Sequence, residues 1–231
     1  MKSHQFSLEN NGDSGINILF KQPISPALSR KIIALADICH IHFAGQVEQI
    51  VPAYQSLTLR YQPLKISYAQ LTEQLHEILR SPLAEGDYQS KKVVIPVCYE
   101  MPYSLDLAKV AEHCKLTEQQ VIERHCHSEY FVHMLGFSPG FLYLGGLAHE
   151  LACPRKASPD LSVPAGSVGI GGSQTGIYPQ NSPGGWHIIG RTPISLFDIE
   201  KPYPCVARPL DTLVFAPISA TEFEQIESEK S

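Results

Sequence analysis

The sequence predicts an α+β protein in two parts: a small ferredoxin-like α/β domain over residues 1–90, then a β-rich barrel or sandwich over 91–231. Three observations predict it. Residues 15–98 alternate strand and helix signals in the order β-α-β-β-α-β, the split βαβ pattern. Residues 104–127 carry helical spacing interrupted near Lys115–Leu116. Beyond Gly136, prolines and glycines recur every few residues among short apolar runs, the pattern of closely spaced strands and tight turns.

In chain order, "GINILF" is an apolar strand-like run. "SPALSRKIIALADICHIHF" places Leu28, Ile32, Leu35 and Cys39 at helical spacing, with Ser25 or Ser29 as the candidate cap. "VEQIVPAY" and "SLTLRYQ" read as two strands joined tightly near Ala53–Gln55. "SYAQLTEQLHEILRS" sets Leu71, Leu75, Ile78 and Leu79 on one helix face, and "KKVVIPVCYE" is a last strand that either domain can claim. The polar "PLAEGDYQS" before it reads as a linker. "SLDLAKVAEHCKLTEQQVIERHCH" is a helical hairpin, and "GFLYLGG", "WHIIG", "PISLFDI" and "DTLVFAPI" are the apolar runs of the second domain. The acidic tail "TEFEQIESEKS" reads as a frayed helix.

Composition narrows the function. Hydrophobic residues make up 43% of the 231 and charged residues 18%, a globular balance. A net charge of −5 opposes nucleic acid phosphates and anionic lipid. No run approaches the roughly 20 apolar residues of a spanning helix. The N-terminus lacks the apolar core of an export signal, so a soluble cytoplasmic chain is expected. Six scattered cysteines without a CxxC pair read as reduced, buried side chains.

Several motifs fail on their chemistry. Ile177 follows Gly176 where a phosphate loop needs lysine, and Gln174 stands where a dinucleotide fingerprint needs its third glycine. "GFSPG" matches a nucleophile elbow around Ser138, but Pro139 has no N–H to stabilise an oxyanion. A DNA-reading helix over Thr117–His125 would carry two glutamates against Arg124 alone. His125, Glu129 and His133 would share a face, and hold a metal, only if one helix ran through them. The site is therefore expected to hold no metal.

The segment "VPAGSVGIGGSQTGIYPQNSPGGWHIIGR" concentrates the chemistry. It holds eight of the 16 glycines and the only tryptophan. Barrel corners account for some of these glycines. A ligand site accounts for the polar side chains between them, Ser167, Ser173, Gln174, Thr175, Tyr178 and Asn181, with bare glycine amides to approach the ligand closely and Trp186 and Tyr178 for stacking. His187 and Tyr178 are candidate proton movers, Arg191 a candidate anion clamp, and Arg155 and Lys156 add positive charge from upstream. The pattern suits a small polar anion.

The segments "HSEYFVHMLGFSPGFLYLGGL", "VPAGSVGIGGSQTGIYPQNSPGGWHIIGRTPISLFD" and "RPLDTLVFAPI" resemble the KipI, or allophanate hydrolase subunit 1, family. Gly166, Ser167, Gly171, Gly172, Gln174, Thr175, Gly176, Tyr178, Gly184, Gly185, Trp186, Arg191 and Thr192 match its most characteristic positions, as do Arg155 and His125. The resemblance implies a cyclophilin-like β-barrel after residue 90. It further implies one component of an ATP-dependent 5-oxoprolinase, which opens 5-oxoproline to L-glutamate and is inactive alone. The partners implied are two further components of that enzyme: a sister chain of allophanate hydrolase subunit 2 type, and a chain of deacetylase-like barrel type. ATP, with magnesium, is expected to be shared with the sister chain. Two alternatives stay open: a carboxyltransferase-type chain acting on urea with biotin, and an inhibitor of a sporulation histidine kinase. Asp160 stands where the family often has a second arginine, which puts anion binding there in question.

Overall fold

The computed structural model describes residues 6–81 and 88–229. The chain divides into two compact units, Met1–Gln89 and Ser90–Ser231. Of the expected linker, residues 82–87 lie outside the described residues.

The first unit runs β1 (Phe6–Asn11), β2 (Gly15–Phe20), α1 (Pro26–His42), β3 (Val47–Pro52), β4 (Ser56–Tyr61) and α2 (Tyr68–Arg80). Its sheet has the order β1-β2-β4-β3, and every pair is antiparallel. Ser25, not Ser29, caps α1 by accepting from the Leu28 N–H, with Pro26 preset for the first helical position. A reciprocal capping box between Ser67 and Gln70 starts α2. Ile16, Ile18, Leu57 and Leu59 from the sheet meet Ile32, Leu35, Leu71 and Leu75 from the helices in one dry core.

The split βαβ expectation needs one correction. The strand "KKVVIPVCYE" does not close this sheet. Its ferredoxin-type place beside β2 is filled by β1, which folds back on β2 with Phe6 opposite Phe20 and Asn11 opposite Gly15. "FSLENN" is half polar and sits on an edge, so alternation in the sequence did not announce it.

The second unit runs β5 (Lys92–Cys98), α3 (Leu107–Cys114), α4 (Glu118–His127), β6 (Tyr130–Leu135), β7 (Leu142–Gly145), a 3-10 turn (His149–Leu151), β8 (Asp160–Val163), β9 (Ser167–Gly171), β10 (Gln174–Ile177), β11 (Ser182–Gly184), β12 (His187–Arg191), β13 (Thr212–Ile218) and α5 (Ala220–Ser228). Seven strands form one sheet in the order β10-β9-β12-β5-β13-β6-β7. Its outer strands β10 and β7 lie against each other, so the sheet is a nearly closed barrel. β5 joins it through a parallel ladder with β13, Lys92 opposite Thr212 through Cys98 opposite Ile218. β8 and β11 form a separate two-stranded ribbon.

The helical hairpin breaks where expected, at Lys115 in the left-handed conformation, and α4 restarts from a Thr117–Gln120 capping box. "PISLFDI" forms no strand. Asp198 turns the chain instead, accepting from Glu200 N through its side chain and from Lys201 N through its carbonyl, and one bridge joins Phe197 to Cys205. The tail departs from expectation too. It is not a frayed end: Ser219 and Glu222 cap α5 reciprocally, and Phe223 is fully buried beside the Tyr103 ring. All six cysteines are free, but only Cys39, Cys98 and Cys153 are buried as expected; Cys114, Cys126 and Cys205 are half-buried.

Phe223→Ala is expected to destabilise the protein by about 3–5 kcal/mol, as for a large aromatic removed from a core. Urea titration with near-ultraviolet circular dichroism checks this, and a loss within 1 kcal/mol (about fivefold in the folding constant) contradicts the anchoring of α5.

Candidate functional site

The glycine-rich segment packs first of all around one indole. Trp186 is 8% exposed and meets Tyr178 and Phe141 edge-on, at centroid distances of 6.4 and 6.1 Å. A β-carbon at Gly171 would overlap the indole, and one at Gly176 would come within 3.1 Å of it. A β-carbon at Gly184 would overlap the Tyr178 hydroxyl. These three glycines exist to admit two aromatic rings. Gly166 differs: at φ +81° it sits in backbone space that side chains avoid, tight against the Thr192 carbonyl.

The expectation of bare glycine amides is corrected by the same geometry. Gly166 N–H donates to the Tyr178 carbonyl at 2.7 Å, and Gly172 N–H to the Cys153 carbonyl at 2.7 Å. Gly171 lies in the β9–β10 ladder opposite Gln174. Gly166 and Gly172 are therefore closed to a ligand through their amides. Thr175 is also withdrawn from ligand contact. It is buried, donates its hydroxyl to the Gly169 carbonyl at 3.0 Å and therefore accepts from His125 Nε2 at 2.9 Å. His125 is completed by the Tyr99 hydroxyl, 2.8 Å from Nδ1, and burial pulls its pKa down to about 3. It is a neutral core histidine.

A buried carboxylate organises the rest. Asp106 precedes α3 and its side chain is 3% exposed. It does not cap its own helix. One oxygen accepts from Ile188 N–H at 3.0 Å and from Lys156 at 2.6 Å, the other from Lys109 at 2.9 Å. Lys156 also reaches Asp160 at 2.5 Å. Burial alone raises the Asp106 pKa, but bonds from Lys109 and Lys156 and the Ile188 amide outweigh it and hold the group below the usual carboxylate value. Burial likewise opposes the Lys156 charge, and its two carboxylate partners outweigh it and raise that pKa. Lys156 is thus an internal counter-ion, not a free anion receptor. Asp160 is its second partner, and this accounts for an acid at that position.

Two clefts flank Lys156, and they divide the expected site residues. The first, of about 490 Å³, is lined by Arg155, Gln174, Tyr178, Gly184, Gly185 and Trp186, with Phe137, Phe141 and Tyr143 on its apolar side. Arg155 is exposed and lies over the Trp186 ring at 6.0 Å, and no carboxylate pairs with it among the described residues. The second cleft, of about 480 Å³, takes Ser167 and Arg191 together with Tyr103, Asp106, Lys109 and Asp160. Lys156 lines both.

Two proposed proton movers are relocated. Burial raises the Tyr178 pKa, so the residue faces its cleft as a neutral phenol and offers a hydrogen bond in place of a proton at neutral pH. His187 lines neither cleft. Its Nε2 is 3.0 Å from the Pro154 carbonyl and so carries a proton, and its Nδ1 is buried without a partner among the described residues. The ring tethers the segment that carries Arg155.

The rejected motifs resolve on the same grounds. The Ser138 hydroxyl is buried with no partner among the described residues, and none of those supplies a base to activate it. α4 ends at His127, and Glu129 pairs with Lys92, so His125, Glu129 and His133 share no helix face. Among the described residues no cluster of three metal-ligating side chains forms, and no helix is long and apolar enough to cross a membrane. Asp106, Lys109 and Tyr103 are the site residues that sequence reasoning missed. In "SLDLAKV" nothing local announces that Asp106 has partners 50 and 82 residues away.

The family model described as carboxyltransferase domain, subdomain C and D, matches residues 6–207. The chain belongs to this carboxyltransferase C/D family, that of KipI and allophanate hydrolase subunit 1. Among family relatives it is 36% identical to the B subunit of 5-oxoprolinase from Bacillus subtilis (strain 168), over 98% of this chain and 99% of that one. It is 39% identical to the corresponding 5-oxoprolinase B subunit of Escherichia coli O157:H7, over 89% and 93%. The crystal structure of TTHA0988 superposes with a TM-score of 0.77 at 33% identity over 89% of this chain. This chain spans 40% of the length of TTHA0988.

Two outcomes test the geometry. Gly171→Ala is expected to cost about 1–3 kcal/mol by overpacking the indole and to shift Trp186 emission, as read by fluorescence-monitored unfolding. Asp106→Asn is expected to cost about 3 kcal/mol at pH 7, as for a broken buried ion pair. Because the native Asp106 pKa is depressed, its contribution is complete above the unfolded-state value near ~3.9 and is lost as pH falls through the native value. Urea titrations at pH 7 and at acid pH should therefore show the gap between wild type and Asp106→Asn closing; a gap independent of pH contradicts the charge assignment.

Proposed function

We propose that this chain is one component of an ATP-dependent 5-oxoprolinase that opens 5-oxoproline to L-glutamate, and that its Arg155 cleft receives the lactam acid. The single observation that carries the reading is an unpaired guanidinium set over an aromatic-walled cleft of about 490 Å³. A five-membered lactam presents apolar methylenes, a carboxylate and an amide carbonyl. Trp186 and Phe141 suit the ring, Arg155 the carboxylate, and the Tyr178 hydroxyl the carbonyl oxygen. Relatives named as 5-oxoprolinase B subunits, alignable over nearly the whole chain, support the same reading.

The lactam amide is resonance-stabilised and resists water. Transfer of the terminal phosphoryl group of ATP to its carbonyl oxygen, with ADP leaving, would give a phosphorylated imidate. One water then opens the C–N bond to an acyl phosphate and a second releases phosphate and L-glutamate, in a site that positions the groups and excludes bulk solvent. This chain does not supply a triphosphate cradle: the amides of Gly166 and Gly172 are already bonded within the protein, and Lys156 is neutralised by two acids. We therefore place ATP and its magnesium mainly on the sister chain of allophanate hydrolase subunit 2 type, with the deacetylase-like barrel chain as third partner. The present chain is assigned the positioning of the lactam.

Two measurements test the reading. ATP-dependent glutamate release should require this chain together with both partners and be absent for the chain alone; undiminished release without it overturns the proposal. In the assembled complex, 5-oxoproline should change Trp186 emission, and Arg155→Gln should weaken that response about tenfold or more, the loss of one charge-assisted carboxylate contact.

A further inference from the structure

Among the described residues, the second cleft carries one positive charge that no ion pair takes up. Among its cations, Lys156 is held by Asp106 and Asp160, and Lys109 by Asp106. Two positive side chains are thus met by two negative ones. Arg191 is left over, with no carboxylate partner among the described residues. Its Nε donates to the Ala165 carbonyl at 2.8 Å, and its guanidinium lies over the Phe223 ring at 5.8 Å. One edge and one face of the group are therefore fixed, and its terminal amino groups remain for the cleft that it lines.

We propose that the Arg191 cleft is an oxyanion-binding site of the phosphate class, separate from the Arg155 cleft. With Nε engaged by the Ala165 carbonyl, Arg191 meets a ligand end-on, through the fork of its two terminal amino groups. Hydroxyls complete the lining from three directions in the sequence: Tyr103 ahead of α3, Ser162 in β8 and Ser167 in β9. A carboxylate has two oxygens to satisfy. Four donor-bearing side chains around one surplus positive charge match the larger oxygen set of a phosphate. The site stands apart from the lactam chemistry, and its link to the phosphate released by ring opening rests on the reading proposed above. Lys156 lines both clefts, so the two ligands would lie on either side of one wall.

The test uses the purified full chain and inorganic phosphate, titrated against chloride at constant ionic strength by calorimetry and by Trp186 emission. Saturable phosphate binding is expected. Arg191→Gln should weaken it about tenfold or more and Ser162→Ala about two- to fivefold, while Arg155→Gln leaves it within about twofold. Trp186 is the only tryptophan of the 231 residues and lines the other cleft, so phosphate should leave its emission unchanged. That readout and Ser162→Ala keep the test decisive if Arg191→Gln does not fold. The proposal is overturned by phosphate binding no better than chloride, by binding lost in Arg155→Gln but kept in Arg191→Gln, or by phosphate that quenches Trp186. A chain that binds phosphate through Arg191, in an assembled complex whose Trp186 emission ignores 5-oxoproline, supports this site and refutes the lactam reading.

Discussion

The second unit depends on one carboxylate withdrawn almost wholly from water. Asp106 joins three separate pieces of chain: the start of the helical hairpin through Lys109, the segment after Cys153 through Lys156, and strand β12 through the Ile188 amide. An isolated buried charge is expensive, and each of these bonds offsets part of that cost. The arrangement gives no great stability over an apolar substitute. What it provides is position. Lys156 has its location set by the two acids, and both clefts take their shared wall from it.

Around that wall, packing and binding divide the glycine-rich segment between them. Gly171, Gly176 and Gly184 make room for Trp186 and Tyr178, and the two rings then become the floor of the Arg155 cleft. The absence of side chains is thus a condition for the aromatic surface, and the aromatic surface is what a small ring-shaped acid would meet. Structural and functional accounts of these glycines are successive steps of one construction. Gly166 and Gly172 play a different part, turning the backbone where left-handed φ is required.

Much of this architecture was legible in the residues because it rests on local rules. Ser25, one of two candidates, starts α1 by capping, and the apolar runs at β7, β12 and β13 alternate with turn residues. β1 escaped notice because its partner, not its own pattern, makes it a strand. The site was legible as a neighbourhood but not as an arrangement. Arg155, Gln174, Tyr178, Gly185 and Trp186 do meet in one cleft, whereas Ser167 and Arg191 face another, and Thr175 and His125 bond each other in the core. Those divisions depend on which face of a barrel strand a residue takes and on partners far along the chain. Spacing in one sequence carries neither.

The parallel pairing of β5 with β13 has a consequence for how the chain is made. These strands open and nearly close the second unit, and Lys91 N–H bonds the Asp211 carboxylate across 120 residues of sequence. A ribosome must therefore deliver the chain as far as residue 218 before that central pair of the barrel can form. The sheet of the first unit uses only strands emerged by residue 61. Synthesis then imposes an order: an early module complete in itself, and a late one whose β5 lacks its long ladder, and is prone to sticking, until β13 arrives.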